Sequence, residues 1–245
     1  MLHTLSSALP RVRRAPEVDV LSLVKAYGPE ELASRIDQTL LVSTYEQAKA
    51  FAERSSKYPF RSLVGFPRAV RAFKEVWKGR TCAVVNFPFG ESPLKAVEAE
   101  LEEAWDAGAE EVDVVASPYL AKDDINKYGE YVREILGAAR AVGFDVVKVI
   151  VEAPVLSDEE LARVAKVIYD LGADFLKTAT GTLHKTSLRD VYVVKRAAPG
   201  LEVKASGGIR EPVQALSFIE TGASVIGTST GIEIVEELKR IKEVG

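Results

Sequence analysis

The sequence predicts an α/β fold, a closed (β/α)₈ barrel preceded by extra amino-terminal helices, and three observations carry the prediction. From residue 35 onward short apolar runs alternate regularly with amphipathic helical stretches. There are eight such runs, the number that closes a barrel. The runs are near-continuously apolar, as strands are when a parallel sheet is covered on both faces. A doubly wound open sheet is the competing arrangement, but the first run lacks the GxGxxG turn of its dinucleotide-binding form.

Taken in order, residues 1–16 form an amino-terminal extension, and residues 17–245 are expected to make one barrel domain. The extension carries Arg11, Arg13 and Arg14 with no acidic residue before Glu17. It lacks the hydrophobic segment of a secretory signal and reads as a frayed terminus. EVDVLSLVKAY and PEELAS, the latter opened by Gly28-Pro29, read as two short helices that cap one end of the barrel. RIDQTLL is the first strand, and Ser43 with Glu46 suggests a capping box for the next helix. RSLVGFP is the second strand and RAVRAFKEVWKG its helix; CAVVNFPFG is the third, with Ser92-Pro93 opening the helix that follows. EVDVVAS is the fourth strand, leading to a helix over residues 123–142. DVVKVIVEA is the fifth, followed by a helix capped by Ser157 and Glu160. DFLKTATG, LEVKASGGI and SVIGTST are the sixth, seventh and eighth. Gly108-Ala109, Gly172-Ala173 and Gly222-Ala223 each end a helix just before a strand, where glycine can take the left-handed conformation.

Composition narrows the function classes. With 47% apolar residues, 28% charged residues and a net charge of −4, the chain reads as a soluble globular protein with interspersed charges. Neither a nucleic-acid surface nor a membrane partner is expected, because there is no basic block and no apolar run near the roughly 18 residues of a membrane span. One cysteine, Cys82, excludes an internal disulfide framework, fits a reducing cytoplasmic compartment and reads as a buried inert thiol. Two distant histidines, His3 and His184, exclude a histidine-based zinc site, and His184 reads as a surface residue.

In a barrel of this kind catalytic groups project from the carboxyl ends of strands, and phosphate is held after strands 7 and 8. SGGIR (206–210) and GTSTG (227–231) stand at those two places, with glycines that let backbone approach an anion. Strands 5, 6 and 7 each carry a lysine in an apolar run: Lys148, Lys177 and Lys204. Neighbouring parallel strands lie about 4.8 Å apart, so inward-facing lysines feel one another. Repulsion and desolvation both lower a lysine pKa. An ordinary lysine is neutral about once in 2,500 at pH 7, and a fall of about three units, roughly 4 kcal/mol, makes it a substantial nucleophile toward a carbonyl. Asp113 in strand 4 can shuttle protons, while Lys148 and Lys204 keep the field positive. Taken singly, Asp37 and Asp113 read as strand-end caps, Glu152 is available to pair with Lys148 along strand 5, and Lys177 stands out as the nucleophile.

EELASRIDQTLL, AVVNFPFG, GAEEVDVV, VVKVIVEAP, GADFLKTATG, VKASGGIR and VIGTSTG, in that order from about residue 30 to 231, resemble the class I deoxyribose-phosphate aldolases. The resemblance implies a TIM barrel that reversibly cleaves 2-deoxyribose 5-phosphate to acetaldehyde and glyceraldehyde 3-phosphate with no metal and no cofactor. It implies Lys177 as the Schiff-base lysine, Lys204 as the lysine that depresses its pKa, Asp113 in the proton relay, and Lys148 as the strand-5 lysine of the site. Asp37 and Thr39 would contact substrate hydroxyls, and Thr180, Gly181, Gly207, Gly208, Gly227 and Ser229 would cradle the phosphate. A homo-oligomer, dimer or tetramer, is the implied assembly, with small phosphorylated sugar and aldehyde partners.

The chain departs from the family pattern at Gln38, where histidine is common; at Val64, where a cysteine is common; at Ala179, where serine is usual; and at ASPYL after Asp113. The lysine-aspartate-lysine set remains whole. The alternatives are a class I aldolase of different aldehyde specificity and a phosphosugar-binding protein without catalysis.

Overall fold

The computed structural model of the chain describes residues 20–244; the extension at 1–16 and the first residues of the expected first helix lie outside that range. Eight strands form a closed parallel barrel in sequence order. They are β1 Ile36–Thr39, β2 Ser62–Gly65, β3 Arg80–Val85, β4 Glu111–Val115, β5 Val146–Ile150, β6 Phe175–Lys177, β7 Glu202–Ser206 and β8 Val225–Thr228. The helices are α1 Val20–Ala26, α2 Pro29–Ala33, α3 Tyr45–Ser55, α4 Pro67–Val76, α5 Leu94–Asp106, α6 Pro118–Asp123, α7 Ile125–Val142, α8 Asp158–Asp170, α9 Leu188–Ala197, α10 Pro212–Thr221 and α11 Gly231–Val244. α1 and α2 pack against α10 and α11 at the seam where β8 meets β1.

Strand alternation divides the barrel wall into two environments. Outward side chains such as Leu63, Val112, Val114, Val147, Val149, Leu176, Val203 and Ile226 are buried against the helices in one continuous core. The interior is different: it holds a small apolar cluster of Val64, Cys82 and Val84 beside Leu41, Phe66 and Phe87, with Val115, Ile150 and Val225 buried elsewhere on the inward face. Barrels of this fold ordinarily fill that space with branched apolar residues. Here six charged side chains, Asp37, Glu111, Asp113, Lys148, Lys177 and Lys204, share it with them.

Several local expectations shift by a residue or a turn. The cap of α3 is Thr44, with Gln47 completing the capping box, because Ser43-x-x-Glu46 and Thr44-x-x-Gln47 are overlapping versions of one pattern. The helix expected at 123–142 is α7, which starts two residues later at Ile125; Asp124 separates it from the short α6 and caps it through the Asn126 and Lys127 amides. Pro93 occupies the cap position of α5, and the Ser92 amide donates to Asn86 Oδ1. Ser157 and Glu160 form the expected box on α8, and Gly108, Gly172 and Gly222 take positive φ as expected at the helix ends.

Candidate active site

Lys177 ends β6, opposite Ile150 on β5 and Lys204 on β7. On the other side of the interior Asp113 faces Lys148 across the β4–β5 pair. These registers aim four side chains at one point. Asp113 Oδ2 accepts from Lys177 Nζ at 2.9 Å and from Lys204 Nζ at 2.7 Å, and Asp113 Oδ1 lies 3.0 Å from Lys148 Nζ. Lys204 also donates to Asp37 Oδ2 at 2.6 Å. The predicted lysine-aspartate-lysine set is therefore one hydrogen-bonded cluster, with Asp113, Lys148 and Lys204 wholly buried and Lys177 4% exposed.

Burial separates the three lysines chemically. Desolvation, with the adjacent Lys204 charge behind it, holds Lys177 below the ordinary lysine range even though Asp113 pulls the other way. Burial also opposes charge on Lys204, but there Asp113 and Asp37 outweigh it, and Lys204 stays above its usual value. Lys148 is raised further, against burial, by Asp113, the Cys82 thiol and Glu111. Burial opposes the charge of Asp113 too, yet three lysines hold it well below the carboxylate range. The same stretch of barrel thus keeps two lysines above their usual range and holds the third below it.

Lys177 opens into a cavity of about 270 Å³ lined also by Thr39, Thr180, Gly181 and Phe87. Its far wall is the pair of turns after β7 and β8, with Gly207, Gly208, Gly227 and Ser229. Phe87, in the turn after β3, sets its ring 6.0 Å from the Lys177 amine and supplies apolar surface over it. Two glycines are required by space. A Cβ on Gly207, whose φ is +113°, would meet the His184 carbonyl at 3.0 Å and the Thr186 amide at 3.2 Å. A Cβ on Gly227 would lie 2.8 Å from Ser206 Cβ and 3.0 Å from Lys204 Cε, so glycine there is what lets Lys204 reach the cluster.

Not every predicted residue lies on the cavity. Asp37 is fully buried beneath it, with its oxygens taken by Lys204, Arg61 and Ser62. Neither it nor Asp113 is a strand-end cap. Glu152 does not pair with Lys148. It sits past the end of β5 at φ 45°, where Oε2 accepts the Thr180 amide at 2.8 Å and Oε1 meets His184 Nδ1 at 3.2 Å. Lys148 pairs instead with Glu111 at 2.7 Å. Thr180 shapes the turn after β6, its hydroxyl accepting the Thr182 and Leu183 amides. His184 is exposed, as expected.

The departures from the family pattern are structurally quiet. Gln38 points out of the barrel and accepts the Gly231 amide at the start of α11, at 2.8 Å. Val64 lies inside beside Cys82, whose thiol donates to Asp113 Oδ1 at 3.2 Å and whose pKa is pushed up by burial and then by Asp113. Ala179 is buried, its carbonyl taken by the Ser206 hydroxyl.

Four participants were missed. Lys185 and Arg210 line the cavity on the side of the two glycine turns, and both are exposed cations, suited to an anion. Arg61 and Glu111 lie beneath the lysines. Glu111 alone carried a signal, since Glu111 and Asp113 stand two apart on one strand and so share a face.

Known proteins resemble this chain in sequence and in fold. Residues 62–237 match the model of the DeoC/LacD family aldolases. A deoxyribose-phosphate aldolase of Caldicellulosiruptor saccharolyticus is 37% identical over 216 residues, covering 85% of this chain and 98% of that one. One from Aeropyrum pernix is 37% identical over 224 residues, covering 87% of this chain and 93% of that one. The solved tetrameric structure of the Aeropyrum pernix deoxyribose phosphate aldolase superposes with a TM-score of 0.83 over 91% of this chain and 98% of that one, at 34% identity. With a barrel that superposes on an aldolase of known structure and a family match over most of its length, this chain belongs to the DeoC/LacD family of aldolases.

Proposed function

We propose that the protein is a metal-independent Schiff-base aldolase that reversibly cleaves 2-deoxyribose 5-phosphate to acetaldehyde and glyceraldehyde 3-phosphate. The observation that carries the reading is a lysine held below its usual pKa, opening on a cavity whose far wall is two glycine turns flanked by Lys185 and Arg210. The names of the relatives supply the substrate.

In this reading the free amine of Lys177 adds to the C1 aldehyde of the open-chain sugar, and water leaves to give a protonated imine. The imine draws the electrons of the C2–C3 bond as the C3 hydroxyl gives up its proton, releasing glyceraldehyde 3-phosphate and leaving an enamine. The enamine takes a proton at C2, and water hydrolyses the imine to acetaldehyde and free Lys177. Asp113, held low by its three lysines, acts as the bridge of the proton relay. It pairs the new cationic nitrogen and keeps the Lys204 ammonium, a proton donor, 2.7 Å away. Thr39 lines the cavity toward the sugar hydroxyls, whereas Asp37 acts through Lys204. Gly181, Gly207, Gly208, Gly227 and Ser229 line the phosphate end, where Thr180 shapes the turn.

The proposed unit is a single barrel domain over residues 17–245, cytoplasmic and a homo-oligomer. A tetrameric relative supports the assembly, and among the described residues no helix is long and apolar enough to cross a membrane. The test is acetaldehyde release from 2-deoxyribose 5-phosphate, with and without a chelator, together with borohydride trapping. Trapping should place the adduct on Lys177. No release, release abolished by chelator, or an adduct elsewhere would overturn the reading.

A further inference from the structure

The contacts beneath Lys177 close on themselves. Arg61 Nη1 donates to Asp37 Oδ1 at 2.8 Å, and Asp37 Oδ2 accepts from Lys204 at 2.6 Å. Lys204 bonds Asp113 at 2.7 Å, and the other Asp113 oxygen meets Lys148 at 3.0 Å. Lys148 pairs with Glu111 at 2.7 Å, and Glu111 returns to Arg61 through both carboxylate oxygens at 2.8 Å each. Arg61, Asp37, Lys204, Asp113, Lys148 and Glu111 thus form a ring of alternating sign, three cations and three carboxylates, spanning β1, β4, β5, β7 and the entry to β2. Lys177 hangs from Asp113 as a seventh charged position outside a ring already neutral.

We propose that Arg61 and Glu111 are positioning residues that set the protonation of Lys177 through the charge balance of this ring, although neither lines the cavity. Placing a further positive charge on a balanced, desolvated ring is unfavourable, so the ring itself favours the neutral amine. The groups facing Lys177 are Asp113 on β4, Lys204 on β7 and Cys82 on β3, with the Phe87 ring alongside. Lys148 on β5 and Asp37 on β1 stand one contact further, and β8 presents Gly227 without charge. The fork of Arg61 is held from below by Glu111 and by the Phe175 ring, 5.6 Å from its centre, while Arg80 reaches Glu111 at 3.2 Å from the exposed rim. The fixed geometry makes Arg61 and Glu111 opposite levers on one amine.

The direction follows from charge. Arg61→Gln leaves the ring one unit negative, stabilises the Lys177 ammonium and raises its pKa. Glu111→Gln leaves it one unit positive and lowers it. A buried unit charge roughly two side chains away moves such a group by about one pH unit. The paired variant Arg61→Gln/Glu111→Gln restores neutrality and should return the midpoint near the wild-type value.

This inference deepens the aldolase reading and can be tested without substrate. The rate at which Lys177 is acetylated by acetic anhydride, read by peptide mass spectrometry across pH 5 to 10, reports its titration directly. The expected result is a midpoint about one unit higher in Arg61→Gln, about one unit lower in Glu111→Gln, and near wild type in the pair. Coincident midpoints in all four proteins, or shifts of the same sign in both single variants, would overturn the proposal. A structural defect would lower occupancy or rate without moving the midpoints in opposite directions. Should Arg61→Gln fail to fold, the Glu111→Gln shift and its reversal in the pair decide alone. Acetaldehyde release by the wild type is measured in parallel, so that failure of the aldolase reading shows there while the labelling still judges the ring.

Discussion

Below Lys177 the barrel holds its charges with other side chains, largely out of water, across four strands and the entry to β2. Above it the turns after β6, β7 and β8 present glycine backbone and two exposed cations around an open cavity. In the lower region each charge has a partner within 3.0 Å, so removing one member strands another in a low-dielectric interior. In the upper region Lys185 and Arg210 are solvated and lose little by being alone. In the proposed aldolase reading the contrast is a division of labour: the interior sets the reactivity of one nitrogen, and the rim selects what reaches it.

The sharpest break of that division is at the nitrogen itself. Lys177→Ala should lower acetaldehyde release by at least about 10³-fold and abolish borohydride trapping, while binding of a phosphorylated sugar by calorimetry survives, because the rim is untouched. Loss of binding together with activity would mean that Lys177 supports the cavity as well as the chemistry.

Lys204→Met tests the interior as a structure. It strands Asp37 and Asp113 together, so a loss of about 3–5 kcal/mol in urea unfolding is expected. The surviving activity should have its acid limb moved to higher pH, since the neighbouring charge that helps lower Lys177 is gone. A stable Lys204→Met protein with an unshifted limb would contradict the cluster.

The same interior fixes where acid acts. Asp37 and Asp113 are depressed by their lysines against the cost of burial, so the stability they contribute is complete above the unfolded carboxylate value near 4 and is lost as pH falls below it. Lys148 and Lys204 are raised, so their contribution is complete below about pH 10.4 and fades only above that. Lys177 is lowered, so it favours unfolding as pH falls from about 10.4 toward its own folded midpoint, and calorimetry should show a thermal midpoint that declines over that window, levels off, and falls again below about pH 4. A steep loss already at pH 6 would point to a group other than these carboxylates.

How much of this was legible in the sequence divides along the same line. The eight strands were, because each is an apolar run of strand length, and Lys177 stood out because an ammonium is costly in such a run. The cap of α3 was not, because two capping patterns overlap by one residue and only the chain path chooses between Ser43 and Thr44. The pairing of Lys148 was misassigned to Glu152 because same-strand spacing is visible in sequence while the contact to Glu111 runs across the β4–β5 pair. Arg61 gave no signal at all: it precedes its strand and meets Asp37 and Glu111 only once the barrel closes. Lys185 and Arg210 sit on turns, whose paths no periodicity encodes.

The smallest expected effect lies at the rim. Lys185 packs its stem against Gly208, where a Cβ would meet its Cγ at 2.9 Å, and its ammonium is free in solvent at the edge of the cavity. An exposed ammonium facing a phosphate adds about 1 kcal/mol, screened by salt over about 8–10 Å. Lys185→Met keeps the stem and removes the charge, so KM for 2-deoxyribose 5-phosphate should rise about 5-fold in low salt. The difference from wild type should narrow as salt is added, with kcat and the acid limb unchanged. Turnover of unphosphorylated 2-deoxyribose should not change at all, because the interior that tunes Lys177 has not been touched. A fall in kcat on both sugars would place Lys185 in the lower region's electrostatics and erase the division between them.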